Sequence, residues 1–299
     1  MPKNITVSLF CMNIYKGYNQ EALDKQYNNR ATVPNFVEIV ENWRQRSAIF
    51  KSSHLIVENL PYGAHPRERL DIFPAGDGAP VQVFFHGGYW RALEKETFLF
   101  MAAGFVKHQI ATVLVNYPLA PEVTMDEIVA SCRKAMVWIY HHIAGHGGDS
   151  NQIYISGHSA GGHLVAMLMA TAWPEFETGL PPNLIKGGCA ISGLFNLIPI
   201  QLSFLNETLG MDETAARRNS PAFLPYANKC PLIVTVGQLE SDEYHAQSRE
   251  LIAAWQSQEL SITYLSIPNA DHFSILDHVI SDAAPLNQAI LAQMKGKVL

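Results

Sequence analysis

The chain has 299 residues, 48% of them hydrophobic and 16% charged, with a formal net charge of −6. That balance describes a compact protein with enough core to fold without staples, and it excludes long disorder. No Lys or Arg run forms a phosphate-binding stripe, so nucleic acid is not an expected partner. No segment has the length of a membrane span, and the apolar run 5–12 lacks the flanks of a signal peptide. Cys11, Cys132, Cys189 and Cys230 form no C-x-x-C pair and are expected as reduced thiols, which makes the cytoplasm the default location.

Residues 20–50 read as helical, with Phe36, Val40 and Trp43 at helical spacing and Pro34 suited to a first turn. This segment, residues 1–50, precedes the main pattern as a lid or a collar. From residue 54 strands and helices alternate. Strands are expected at 54–60, 69–73, 81–85, 110–115, 152–156, 184–191, 231–236 and 261–267. Helices are expected at 94–108, 125–143, 160–172, 243–256 and 274–294. Such alternation predicts an α/β fold over residues 51–299, with a mostly parallel central sheet flanked by helices. Residues 193–228 are too long for an ordinary connection and are expected as an insertion over the site.

Gly157-His158-Ser159-Ala160-Gly161 matches G-x-S-x-G between a strand and a helix. In this motif a tight turn exposes the serine hydroxyl above the sheet, and the glycines let strand and helix approach. Ser159 is therefore the candidate nucleophile. His86-Gly87-Gly88-Tyr89-Trp90 follows another strand, and its glycines allow backbone N–H groups to approach a developing oxyanion. Gly88, Tyr89 and Ala160 are the candidate donors.

A base that follows the nucleophile must be His163, His245, His272 or His278. His272 stands in the loop between the last strand and the last helix and is the candidate. The acid is sought after the strand 231–236, where Glu240 comes first and Asp242 is the alternative. His141, His142 and His146 lack a metal-site spacing, so no metal is expected.

The segments 86–90 and 157–164 together resemble the serine-type kynurenine formamidases (arylformamidases) of the hormone-sensitive-lipase-like α/β-hydrolases. Asn116-Tyr117-Pro118-Leu119-Ala120-Pro121-Glu122 is similar to that group's D-Y-x-L-A-P-E segment, and Gln247-Ser248-Arg249 and Asp271-His272-Phe273 also have counterparts there. The resemblance runs from about residue 20 to the end. It implies an α/β-hydrolase fold, a Ser159–Glu240–His272 triad, and cleavage of small ester or formamide bonds without a cofactor. Glu240 stands where these formamidases usually have Asp, and Tyr89 stands where the lipase-like group usually has a third glycine.

The expected chemistry is acyl transfer from a small-molecule substrate through an acyl-enzyme. Tyr89, Trp90, Phe195 and Phe204 are candidate walls for an aromatic leaving group. No arginine is placed by its motif to hold a carboxylate, although Arg91 follows the glycine loop. The rival readings are a short-chain carboxylesterase using the same residues and a ligand-binding protein without turnover. The oligomeric state stays open, a homodimer included.

Overall fold

The computed structural model describes residues 12–256 and 261–296; Cys11 and most of the run 5–12 lie outside them. Eight strands form one sheet in the order β1-β2-β4-β3-β5-β6-β7-β8. They are β1 (Val57–Pro61), β2 (Arg69–Phe73), β3 (Ala79–Phe85), β4 (Ala111–Val115), β5 (Gly148–His158), β6 (Ile185–Ile191), β7 (Leu232–Gly237) and β8 (Ile262–Ile267). β1 and β2 pair antiparallel, as do β2 and β4, and every other pairing is parallel. The central strands β3 to β7 are almost wholly buried, as helices on both faces require. The expected α/β-hydrolase sheet is present.

Ahead of the sheet come α1 (Gln20–Tyr27), α2 (Asn29–Thr32) and α3 (Phe36–Ser53). Asn19 and Asn28 cap α1 and α2 by accepting from Ala22 and Ala31 N–H groups. Trp43 of α3 packs in an aromatic cluster with Phe98, Phe100 and Phe273. α4 (Met125–His142) starts at Thr124, which forms a reciprocal capping box with Glu127. α5 (Ala160–Met169) follows β5 directly and is buried on every side.

Two helical expectations differ from the structure. Residues 95–108 form 3-10 turns, Lys95–Gly104 and Val106–His108, rather than an α-helix. Ser47 of α3 accounts for part of this: its hydroxyl donates to the Thr97 carbonyl and accepts from the Phe100 N–H, clipping an i,i+3 turn. The last helix is broken into α11 (Asp277–Ile280) and α12 (Pro285–Met294). Pro285 has no N–H and forces Ala284 into an extended conformation, which ends the first piece.

Between β5 and β8 the remaining helices are α6 (Trp173–Phe176), α7 (Ile198–Leu202), α8 (Asn206–Leu209), α9 (Glu213–Arg218) and α10 (Asp242–Gln256). Residues 193–228 thus carry three short helices and a 3-10 turn. Cys132, Cys189 and Cys230 are free and buried. Among the described residues no helix is long and apolar enough to cross a membrane.

Candidate active site

Ser159 sits between β5 and α5 with φ 58° and ψ −117°, a conformation that L-residues adopt only under constraint. Its N–H donates to the Ile191 carbonyl at 2.8 Å, and its carbonyl accepts from His163 N–H. The two motif glycines are sterically required. A Cβ on Gly157 would stand 2.3 Å from the Gly161 carbonyl oxygen, and one on Gly161 would stand 1.9 Å from that of Phe85. Strand β3, strand β5 and helix α5 therefore meet at backbone contact, which fixes the turn and leaves the hydroxyl above the sheet.

The Ser159 hydroxyl lies 3.0 Å from Nε2 of His272. Nδ1 of His272 lies 2.6 Å from Oε2 of Glu240. Oε1 of Glu240 accepts from the Ser192 hydroxyl at 2.5 Å and from Gly237 N–H at 2.7 Å. The carboxylate is buried at 1% side-chain exposure, so these donors replace water. Asp242, the alternative acid, is exposed at the start of α10. Asp271 neighbours His272 in sequence, but its Oδ1 accepts the Phe273 and Ser274 N–H groups, which shapes the loop rather than the histidine.

On the other side of Ser159 is the glycine loop. Gly88 has φ 118°, and a Cβ there would meet the Ala92 carbonyl oxygen at 2.1 Å. Tyr89 and Trp90 follow with φ 51° and 55°. Among the described residues, no acceptor is found for the N–H groups of Gly88, Tyr89 or Ala160. The structure therefore brings all three expected donors into the neighbourhood of Ser159 with free hydrogens.

The successive positive φ values send Tyr89 and Trp90 to opposite sides. Tyr89 lines the pocket at Ser159 and donates its hydroxyl to the Tyr27 carbonyl at 2.6 Å. Tyr89 also meets the Tyr244 hydroxyl at 2.7 Å, and Asn29 donates to both phenols. Trp90, expected as a pocket wall, is instead fully buried and donates Nε1 to Nδ1 of His163. Phe195 is a second correction: its ring packs against Gly193, fully buried, and does not line the pocket. Phe204 does line it.

Several pocket residues were not signalled by any motif. Tyr27 comes from α1, Asn29 and Arg30 from α2, Asn28 from the cap between them, and Phe36 and Trp43 from α3. The pocket is walled mainly by aromatic rings and the glycine loop. Arg30 and Arg91 line it, and among the described residues no Asp or Glu does.

Three buried histidines frame the site as neutral groups. Burial lowers His86 and His163 to about 4. His158 falls well below the usual range because it is buried and lies beside His272. Its Nε2 donates to the His272 carbonyl at 2.7 Å, which holds the loop carrying the candidate base. The cluster at His141, His142 and His146 binds elsewhere: His141 pairs with Glu177, and His142 stacks on Trp138. Among the described residues no group of His, Cys, Asp and Glu is arranged to hold a metal ion.

The BD-FAE family model matches residues 70–188. The kynurenine formamidase of Salmo salar is 32% identical over 307 aligned residues, covering 96% of this chain and 100% of the relative. The chain belongs to the kynurenine formamidase family. The Danio rerio member of this formamidase family is 31% identical at the same coverages, 96% and 100%. A solved structure described as a putative thioesterase from Silicibacter superposes on this formamidase-family chain with a TM-score of 0.80 and 29% identity, covering 90% of this chain and 99% of the other. An esterase from Pyrobaculum calidifontis superposes with a TM-score of 0.72 at 18% identity, covering 90% and 97%, a likeness of fold. This formamidase-family chain is thus an enzyme of the α/β-hydrolase class.

Proposed function

We propose that the chain is a serine hydrolase that cleaves the formamide bond of an arylamine through Ser159, His272 and Glu240. The observation that carries this reading is the unbroken line Ser159 Oγ–His272–Glu240, with separations of 3.0 and 2.6 Å. In this reading Ser159 attacks the formyl carbon while Nε2 of His272 takes its proton. Glu240 accepts Nδ1–H and stabilises the imidazolium. The N–H groups of Gly88, Tyr89 and Ala160 hold the oxyanion, each such donor being worth about 10²–10³ in rate. The tetrahedral centre collapses, His272 protonates the departing amine, and water then hydrolyses the formyl-enzyme to release formate.

The pocket supports an aromatic leaving group. Phe36, Trp43, Tyr89, Phe204 and Phe273 line the same pocket as Ser159. The Salmo salar and Danio rerio relatives carry the name kynurenine formamidase, which agrees with an aryl formamide. Helices α1 and α2 act as the collar of the site, and the insertion 193–228 contributes Phe204 to its wall. The reading places the enzyme in the cytoplasm, in keeping with free thiols at Cys132, Cys189 and Cys230.

The test is kcat/KM for N-formylkynurenine and for p-nitrophenyl acetate, on the wild type and Ser159→Ala. Strong preference for the formamide, lost in the variant, is the expected result. Ester turnover alone, also lost, would move the substrate class to short esters. Equal activity in both proteins would remove Ser159 from the mechanism.

A further inference from the structure

The candidate base and the candidate oxyanion donors stand on separate elements. His272 follows β8, and the glycine loop follows β3. Among the described residues no hydrogen bond joins 86–93 directly to 269–274. Tyr244 of α10 spans the gap. It is fully buried, and its ring centroid lies 4.6 Å from that of His272, with 53° between the planes. Its hydroxyl lies 2.7 Å from the hydroxyl of Tyr89 in the glycine loop.

The hydrogens of this cluster can be assigned one by one. The Tyr27 carbonyl can only accept, so it takes the Tyr89 hydrogen at 2.6 Å. Asn29 gives its two amide hydrogens to Tyr89 and Tyr244, at 3.2 and 2.7 Å. The hydrogen left over is that of Tyr244, and Tyr89 stands in place to receive it. The reversed Asn29 amide is excluded, because its oxygen would face a Tyr89 oxygen with no hydrogen to give. Burial pushes the Tyr244 phenol above its ordinary value, and the hydrogen-bonding groups of Tyr89, Asn29 and Ser159 offset only part of that rise. The phenol therefore keeps its hydrogen, and the bond runs from Tyr244 to Tyr89.

We propose that Tyr244 is a positioning residue that sets His272 and the backbone N–H of Tyr89 in register with each other. A tetrahedral centre on Ser159 must meet Nε2 of His272 and the loop N–H groups at the same time, and an error of about 1 Å in either costs about 10² in rate. The Tyr244 ring limits the tilt of the imidazole, and its hydroxyl limits the drift of Tyr89. The inference rests on Ser159 as the nucleophile and adds a group outside the Ser159–His272–Glu240 line.

The experiment is titration of the full chain with 2-phenylethylboronic acid and with 3-phenylpropanamide. In the first, the Ser159 oxygen adds to boron, its proton passes to His272, and the adduct is a tetrahedral anion. The second stays planar and neutral. The wild type should bind the boronate at least about 10²-fold more tightly than the amide, as a transition-state mimic implies. Tyr244→Phe keeps the ring and loses the hydroxyl. It should reduce that ratio about tenfold, through weaker boronate binding alone, and lower kcat for p-nitrophenyl acetate by a similar factor with KM little changed. Adding Tyr89→Phe removes the same bond from its other end, so the double variant should lose no more of the ratio than the larger single loss. Tyr244→Leu removes the ring as well and should lose more than Tyr244→Phe, which carries the test where the leucine variant fails to fold. A purely structural role would weaken both ligands together and leave the ratio as it was. An unchanged ratio in Tyr244→Phe, or single losses that add in the double variant, would overturn the role of Tyr244. A wild type that binds the boronate no better than the amide would instead sink Ser159 as the nucleophile, and this inference with it. Absence of formamide hydrolysis alone would leave the result standing, since the readouts are boronate binding and ester turnover.

Discussion

Ser192 donates its hydroxyl to Glu240 on Oε1, the oxygen that does not face His272. The distance is 2.5 Å, and Ser192 is itself fully buried with φ 49°. The bond, together with Gly237 N–H, fixes the plane of the carboxylate and hence the ring of the histidine. Ser192→Ala should lower kcat about tenfold with little change in KM, since the loss falls on orientation. A KM effect equal to the kcat effect would show that Ser192 acts on the pocket instead.

Glu240→Gln should cost far more, on the order of 10³ in kcat, because an amide can favour the wrong tautomer of His272. Glu240→Asp shortens the side chain by one methylene and should fall between the wild type and the glutamine variant. Steady-state kinetics on both variants decides the point. Full activity in Glu240→Gln would transfer the acid's role to another group.

The glycine loop and the nucleophile turn should respond differently to the same substitution. Gly88→Ala places a methyl against the Ala92 carbonyl at a φ that alanine rarely adopts. The loop must shift, and kcat should fall about 10²–10³ while the thermal transition stays cooperative. Gly161→Ala drives a methyl into the Phe85 carbonyl at the centre of the sheet and should prevent soluble folding. A fully active Gly88→Ala enzyme would remove that loop from oxyanion binding.

Stability should fall on mild acidification. His86 and His163 are lowered to about 4 in the folded state, and His158 lies well below its ordinary value. The unfolded chain therefore binds more protons than the folded chain between pH of about 6.5 and about 4, and stability rises with pH across that window. The contribution of each histidine is fully present above the unfolded value and is lost as pH falls, on the order of 3 kcal/mol for His163 by pH 4. Urea unfolding at pH 7.5, 6 and 5 should show the free energy decreasing at each step. A flat profile would mean that these histidines are hydrated or charged in the native state.

Tyr89→Phe removes the hydroxyl that joins the glycine loop to the Tyr27 carbonyl and to Tyr244. The end of α1 loses one of its anchors, and KM for the aryl substrate should rise about three- to tenfold through this lost hydrogen bond. Kinetics on an aryl and a small alkyl substrate check this: a rise for the aryl substrate alone is expected, and no rise would detach α1 from binding.

Much of the site was legible because its signals are local. Gly157, Ser159 and Gly161 occupy three alternate positions, and the strand before them and helix after them are visible in the apolar pattern. Glu240 stands beside His272 in the structure, at the position after β7 from which the sequence picks it out. The walls were less legible. Whether Trp90 faces substrate or core depends on φ values at Gly88, Tyr89 and Trp90 that composition does not encode. Arg30 and Asn29 were missed because α1 and α2 reach the site through contacts such as Tyr27 to Glu243, 216 residues apart. The broken helices at 95–108 and 274–294 follow from Ser47 and Pro285, one a distant side chain and the other a local stop.

The collar formed by α1 and α2 buries Leu23 and Tyr27 in the core and bonds outward to a defined set of sockets: Glu243, Gln247 and Tyr89 for Tyr27, Tyr89 and Tyr244 for Asn29, Ser241 and Glu243 for Gln26, the Leu202 carbonyl for Gln20 and the Phe204 N–H for Asp24. None of its side chains belongs to the Ser159–His272–Glu240 line. Residues 19–35 therefore shape the pocket without supplying any member of that line, and they can be exchanged only together with the sockets they occupy. Grafting residues 19–35 from another member of the family, with Tyr89, Ser241, Glu243, Tyr244 and Gln247 kept as sockets, is a way to alter what is recognised while the Ser159–His272–Glu240 line is inherited unchanged.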